Sequence, residues 1–203
     1  MESRIKEFNY MAAEPKAVLD LVGDHISAHV YFVITYNNST HVIFGHNKKY
    51  DNGAIPGGFE NTNIEYPETI YETALREVIE EETLNCLPIK NFRELLESGF
   101  CAKRQTPNGT KYHYTFFCYL KDIKLDMDLI NNEFKNKVSN PDLPEDYKEH
   151  DYLTLVSLDQ IKEFVKGSRE VKDYMGKILK LRPVLEPFNR YALENSFYDK
   201  IIH

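Results

Sequence analysis

The sequence predicts an α/β fold, a mixed sheet built of hairpins and flanked by helices. Two observations carry that prediction. Runs of β-branched and aromatic residues bounded by Asn- and Gly-rich turns recur through the first two thirds, and runs with apolar residues every three or four positions lie between and after them. The composition allows it: 203 residues, 42% apolar and 13% aromatic, suffice for one domain with a substantial core. The expected organisation is a single domain over 1–203, with an N-terminal extension over 1–27 and a C-terminal helical extension over 168–203.

Taken in order, residues 1–25 offer a short helix from Pro15 to Val22, opened by Pro15 and closed by Gly23, as a lid or edge element. Residues 28–36 are β-branched and aromatic almost throughout, which suits a strand covered on both faces. Asn37-Asn38-Ser39 turns the chain back into a strand from Thr40 to Gly45. Ala54 to Gly58 reads as a short strand ending in a glycine turn, where missing side chains permit close backbone approach. Thr69-Ile70-Tyr71-Glu72 is a capping box that starts a helix expected to reach Leu84. Phe92–Arg104 and Thr110–Leu120 are two strands joined by a turn containing Asn108-Gly109. Residues 121–148, acidic and interrupted by Pro141 and Pro144, read as a long loop with at most a turn or two of helix. Tyr152–Val156 is a last strand, Ser157 caps a helix ended by Gly167, residues 169–181 have apolar positions at helical spacing, and the aromatic tail from Pro183 packs as a final helix.

The net charge of −7 argues against a protein that coats nucleic acid. Cys86, Cys101 and Cys118 are odd in number, widely spaced and without zinc-finger neighbours, which fits a reduced setting. The residues from Met1 to Lys6 show no apolar signal region, and no apolar run reaches the roughly 20 residues that cross a bilayer. The expectation is a soluble, cytoplasmic protein with no membrane partner.

The most informative stretch is 56–84. On a helix, Glu77, Glu80 and Glu81 share one sector while Leu75, Val78 and Ile79 face away. Like charges at this spacing cost an isolated helix roughly 0.2–0.5 kcal/mol per pair, so the arrangement points to a counter-ion, a hard divalent metal with oxygen ligands.

Glu68, seven intervening residues, then Arg76-Glu77-Val78-Ile79-Glu80-Glu81-Glu82-Thr83-Leu84 resembles the signature of the Nudix hydrolases, and Pro56-Gly57-Gly58 and Val156–Ile161 extend the similarity over about residues 28–166. Two positions depart from the pattern. Nine residues separate Gly58 from Glu68 where the family has five, an insertion around Asn61–Ile64, and Thr83 stands where the family has a glycine. The resemblance implies a Nudix-type α/β/α sandwich and hydrolysis of a pyrophosphate bond in a nucleoside diphosphate linked to another group, with Mg2+ or Mn2+ as cofactor. It implies Glu77, Glu80 and Glu81 as metal ligands with a backbone carbonyl near Gly58, and Arg76 orienting Glu68. The general base is then either a helix glutamate such as Glu80 or an acid on a later loop, Glu145 or Glu149.

Lys103, Arg104 and Lys111 are candidates for phosphate contact, and Tyr112 and Tyr114 for stacking a base, although aromatics alternating along a strand are more often core. The substrate is a small phosphorylated compound such as ADP-ribose or a dinucleoside polyphosphate. An mRNA cap or a diphosphoinositol polyphosphate is the alternative, with long RNA disfavoured by the acidic charge. A non-catalytic nucleotide-binding module is a second class of reading. The C-terminal helices serve as core or as a homodimer surface.

Overall fold

A computed structural model describes residues 8–23, 25–61, 65–81, 87, 89, 91–121 and 123–202. Thr83, Glu82, Cys86 and most of the expected insertion lie outside them. The sheet is organised on β2 (Ile26–Tyr36), whose residues are buried on both faces over most of its length. β3 (Ser39–Asn47) returns antiparallel from the Asn37-Asn38 turn, where both asparagines take positive φ. On its other edge β2 runs parallel to β7 (Gly109–Leu120), Ile26 to Ile34 lying against Tyr112 to Leu120. β7 pairs antiparallel with β6 (Leu96–Thr106) through a turn at Pro107-Asn108, Gly109 taking φ +113°, and β6 pairs with an edge strand β1 (Asn9–Ala12). β4 (Asn52–Ala54) and β8 (His150–Ser157) both lie against β3. β5 (Gly57–Phe59) pairs with the start of β2, Gly57 opposite His29 and Gly58 opposite Ala28. That pairing positions the candidate site.

Strand alternation sends side chains to two cores. Val30, Phe32, Ile34, Phe116 and Cys118 point to one, closed by α2 (Ile70–Glu80). Tyr31, Val33, Phe44, Phe117 and Tyr119 point to the other, closed by helices later in the chain. The α/β/α sandwich with a mixed sheet of hairpins is therefore the architecture observed.

Several elements differ from expectation. The first helix, α1, covers only Pro15–Val18; Gly23 does not close it, because Val22 instead bridges to Thr69. Phe92–Leu95 is a short helix, α3, before β6 begins. Residues 121–148 are not a loop: Met127–Val138 is a helix, α4, of 12 residues. Asp126 caps it by accepting from the Asp128 and Leu129 N–H groups, and Met127, Ile130 and Phe134 bury one stripe against the sheet. Pro141 and Pro144 follow this helix, so neither interrupts it. Glu145–Lys148 forms a 3-10 turn ahead of β8.

Residues 169–181 are not helical. They form a hairpin of β9 (Glu170–Lys172) and β10 (Ile178–Lys180), with Val171 opposite Leu179. Val171, Leu179 and Leu181 are buried while Ile178 is exposed, a period of two. The turn is held by Asp173, whose Oδ1 accepts from the Met175 and Lys177 N–H groups, and by Gly176 at φ +82°. The Ser157-capped helix, α5 (Leu158–Val165), and the final helix, α6 (Leu185–Glu194), occur as expected and cover the second core. No helix of the described residues is long and apolar enough to cross a membrane.

Candidate functional site

α2 starts at Thr69, whose hydroxyl accepts from the Glu72 N–H while the Glu72 carboxylate accepts from the Thr69 N–H, and Glu68 precedes this reciprocal cap. The described helix ends at Glu80, with Glu81 as its cap residue. Arg76 ties the helix to the strand before it. Its Nε donates to Glu68 Oε1 at 2.8 Å and its Nη2 to Glu68 Oε2 at 3.2 Å, a bidentate pair. Nη2 also donates to the Phe59 carbonyl at 2.7 Å, and Nη1 to Glu77 Oε1 at 2.7 Å and Glu80 Oε2 at 2.9 Å. One guanidinium thus joins β5, Glu68 and two helix carboxylates.

Glu68 is buried and also accepts from the Asn61 N–H and the Thr73 hydroxyl. Burial opposes its ionisation, but the Arg76 and Asn61 hydrogen bonds outweigh it and hold its carboxyl below the usual range. Glu77 is different. Burial pushes it up to about 7 against the pull of Arg76, with Glu80 and Glu68 adding to the rise. Glu81 is raised well above the usual carboxylate range by burial, with Glu77 and Glu149 adding repulsion and Arg182 and the Gly57 N–H opposing it. Its Oε2 is buried without a hydrogen-bond partner.

The Gly57-Gly58 backbone packs directly on these acids. A Cβ at Gly58 would sit 2.4 Å from Glu77 Oε1. We therefore expect Gly58→Ala to lower activity at least about tenfold by displacing Glu77, while melting within a few degrees of wild type, because the displaced group is the end of a flexible side chain. Steady-state kinetics and a thermal melt on the same preparation check this.

The raised acids also set a pH dependence. A carboxyl whose folded pKa lies above its unfolded value gives stability that is full below the unfolded pKa and lost as pH rises through the folded one. For Glu77 that window runs from its ordinary value of 4.5 to about 7. Buried His29 and His150, lowered to about 3 and about 4 by burial, act in the opposite direction below their ordinary 6.5. The informative quantity is therefore the melting temperature of Glu77→Gln minus that of wild type, without added cation. It is expected to grow from pH 4.5 to pH 7.

The structure brings together Gly58, Glu68, Arg76, Glu77, Glu80 and Glu81, and adds Glu149. The Glu149 charge acts on Glu81, and its Oε2 accepts from the Asn47 amide at 3.1 Å. Glu145 points away, its exposed carboxylate paired with Lys148. Lys103, Tyr112 and Tyr114 turn to the α2 face of β6 and β7, where the tyrosines pack against the core and Lys103 lies over the Tyr112 ring. Arg104 and Lys111 face the other way: Arg104 lines a cavity of about 800 Å3 beside Gly57-Gly58-Phe59, and Lys111 lies over the Phe59 ring. Arg182, absent from the sequence reading, lines that cavity and acts on Glu81. A residue just before Pro183, after a segment read as helix, gave no signal of its own.

Among the described residues, no three His, Cys, Asp or Glu side chains converge as a metal site. Arg76 takes the place of a cation between Glu77 and Glu80. The donors nonetheless suit a hard divalent ion: they are carboxylate oxygens, one of them buried and unpartnered, beside glycine backbone.

No family model matches the sequence, and no curated protein sequence matches it. By structure the chain is similar to the NUDIX domain of Shewanella oneidensis NrtR complexed with ADP ribose, at 10% identity over 91% of this chain and 94% of that one, with a TM-score of 0.46. It is similar to the Bacillus subtilis pyrophosphohydrolase BsRppH at 13% identity over 93% and 92% of the two chains, with a TM-score of 0.43. A C. elegans Ap4A hydrolase binary complex shares 12% identity over 72% of this chain and 85% of that one, with a TM-score of 0.39. At these identities and TM-scores the similarity assigns no activity to this chain.

Proposed function

We propose that the chain is a Nudix-type hydrolase that cleaves a pyrophosphate bond in a small phosphorylated substrate with the help of Mg2+ or Mn2+. The observation that carries this reading is the packing of Glu77 and Glu81, one with an unpartnered buried oxygen, against Gly57-Gly58 beside the Arg76–Glu68 pair. Glu77, Glu80, Glu81 and the Gly58 carbonyl would hold the ion. When bound, it neutralises phosphate charge and makes a bound water more acidic.

The remaining work falls to the chain's own groups. Arg76 fixes the distance between α2 and β5 through the Phe59 carbonyl and keeps Glu68 ionised, so the acids keep their orientation as substrate enters. Glu149, held by Asn47 beside Glu81, accepts the proton of the attacking water. The water oxygen forms a bond to one phosphorus, the bridging P–O bond breaks, and the second phosphate leaves with the bridging oxygen. Positioning and charge stabilisation supply most of the acceleration in such transfers.

The test is hydrolysis of ADP-ribose, diadenosine polyphosphates, diphosphoinositol polyphosphates and capped RNA with Mg2+ or Mn2+, beside a Glu80→Gln variant. The reading requires metal-dependent release of a phosphate-bearing product from at least one of them, and its loss in the variant. Wild-type release no greater than the variant's on every substrate rejects it.

A further inference from the structure

The pairing of β3 with β8 is irregular at one point, close to Glu149. Leu153 lies opposite Gly45 and Tyr152 opposite His46, but His150 lies opposite Asn47, so Asp151 is an extra residue and forms a β-bulge. Successive side chains of a regular strand point to opposite faces. Asp151 and Tyr152 instead reach the same ring, that of His46. Its Nδ1 stands 2.7 Å from Asp151 Oδ1, and the ring is stacked on Tyr152 with centroids 4.7 Å apart and planes 10° apart. A carboxylate oxygen only accepts, so the imidazole nitrogen donates.

The surroundings favour the bulged register. The His46 side chain is 15% exposed, which shields its bond to Asp151. Its second contact, Nε2 to Asp51 Oδ1 at 3.1 Å, ends on a carboxylate in solvent and adds little. Tyr152 is fixed from the β9–β10 hairpin, whose Lys177 Nζ donates to the tyrosine hydroxyl at 2.8 Å. His150 is buried, and its imidazole fills the place of the side chain missing at Gly45, where a Cβ would sit 2.6 Å from His150 Nδ1. One residue earlier, the Glu149 carbonyl accepts from the Lys48 N–H at 3.0 Å and its carboxylate from the Asn47 amide. A slip of one residue sends every side chain of a strand to the opposite face, so the bulge decides which face the residues ahead of it meet.

We propose that His46 is a positioning residue for Glu149. By bonding Asp151 while stacked on Tyr152, it holds the bulge that turns Glu149 towards Asn47 and Glu81. It acts only through the backbone of residues 149–152. The kinetic consequence rests on the reading of Glu149 as the general base, whereas the geometric one does not.

Two measurements on the full chain separate these: hydrogen exchange by NMR, and steady-state kinetics with Mn2+ on whichever of ADP-ribose, diadenosine polyphosphate, diphosphoinositol polyphosphate and capped RNA is cleaved fastest. His46→Phe keeps a ring on Tyr152 but cannot donate to Asp151. In it the Lys48 amide is expected to exchange at least about tenfold faster, while the Ala13 amide, bonded to the Gly99 carbonyl, stays within about twofold of wild type. Its kcat should fall at least about tenfold with KM within about twofold, as for a misplaced catalytic group. His46→Asn, whose amide nitrogen falls near the place of Nδ1, should regain at least about threefold of that loss. Asp151→Ala removes the same bond without touching the stacked ring and should match His46→Phe. In a Glu149→Gln background, His46→Phe should cost less than about twofold in kcat, because the group it positions is already gone. Wild-type Lys48 exchange or wild-type kcat in either His46→Phe or Asp151→Ala would overturn the proposal, and so would a His46→Phe cost that persists beside Glu149→Gln. A wild type that cleaves none of the substrates would remove the pyrophosphohydrolase reading, and Lys48 exchange would then decide the positional claim alone.

Discussion

Glu81→Gln is expected to cut turnover roughly 100-fold or more while raising the melting temperature of the cation-free protein above pH 7. The two effects have one cause. Glu81 is 8% exposed, its Oε2 has no partner, and its strongest neighbours are the acids Glu77 and Glu149. An ionised carboxylate in such a place costs stability unless a cation shares it, and the raised pKa expresses that cost. Glutamine removes the charge and with it the repulsion of Glu77, so the empty fold gains. It also removes the anionic oxygen that a divalent ion needs, so chemistry is lost. A purely structural Glu81 predicts the opposite pairing, lower stability with activity falling only in proportion to unfolding. Parallel melts and initial rates on the variant distinguish them.

The second large effect concerns the base. Glu149→Gln is expected to lower kcat by about 100-fold to 10,000-fold, the usual contribution of a positioned general base, whereas Glu145→Gln stays within about twofold of wild type. The two acids are four residues apart in one acidic segment, yet they face different surroundings. Glu149 is fixed by the buried Asn47 and lies close enough to Glu81 to repel it, while Glu145 pairs with Lys148 in solvent. Normal turnover in Glu149→Gln would move the base to the helix, to Glu80.

Much of this was legible from local pattern. The capping box, the i, i+3, i+4 acids and the Arg76–Glu68 spacing are properties of a single helix and its entry, where sequence distance equals spatial distance within a turn or two. The hairpins around Asn37-Asn38 and Pro107-Asn108 are local in the same sense. What escaped is what only tertiary partners decide. In 169–181, Val171, Ile178 and Leu181 fit a helical stripe as well as a strand, and only burial of Val171, Leu179 and Leu181 with Ile178 left in solvent resolves it. In Met127–Val138 three buried apolar residues were hidden among acids and amides. The alternation of β6 and β7 was readable, but which of its faces meets the cavity depends on the parallel pairing of β7 with β2, which no short-range signal encodes. For the same reason Lys103, Tyr112 and Tyr114 could not be separated from Arg104 and Lys111. The charge of Arg182 acts on Glu81 because the β9–β10 hairpin, which has the apolar spacing of a helix, returns the chain to β4.

The central claim is that the α2 acids and the Gly57-Gly58 backbone hold a divalent cation. Electron paramagnetic resonance of free Mn2+ during titration with the protein measures this directly, before any substrate is chosen. The account predicts that wild type removes Mn2+ from solution with at least one site per chain, that Glu81→Gln and Glu77→Gln weaken that site by at least about tenfold, and that Glu145→Gln leaves it intact. A wild-type protein that leaves the Mn2+ signal undiminished, or Glu77 and Glu81 variants that bind as wild type does, would contradict it.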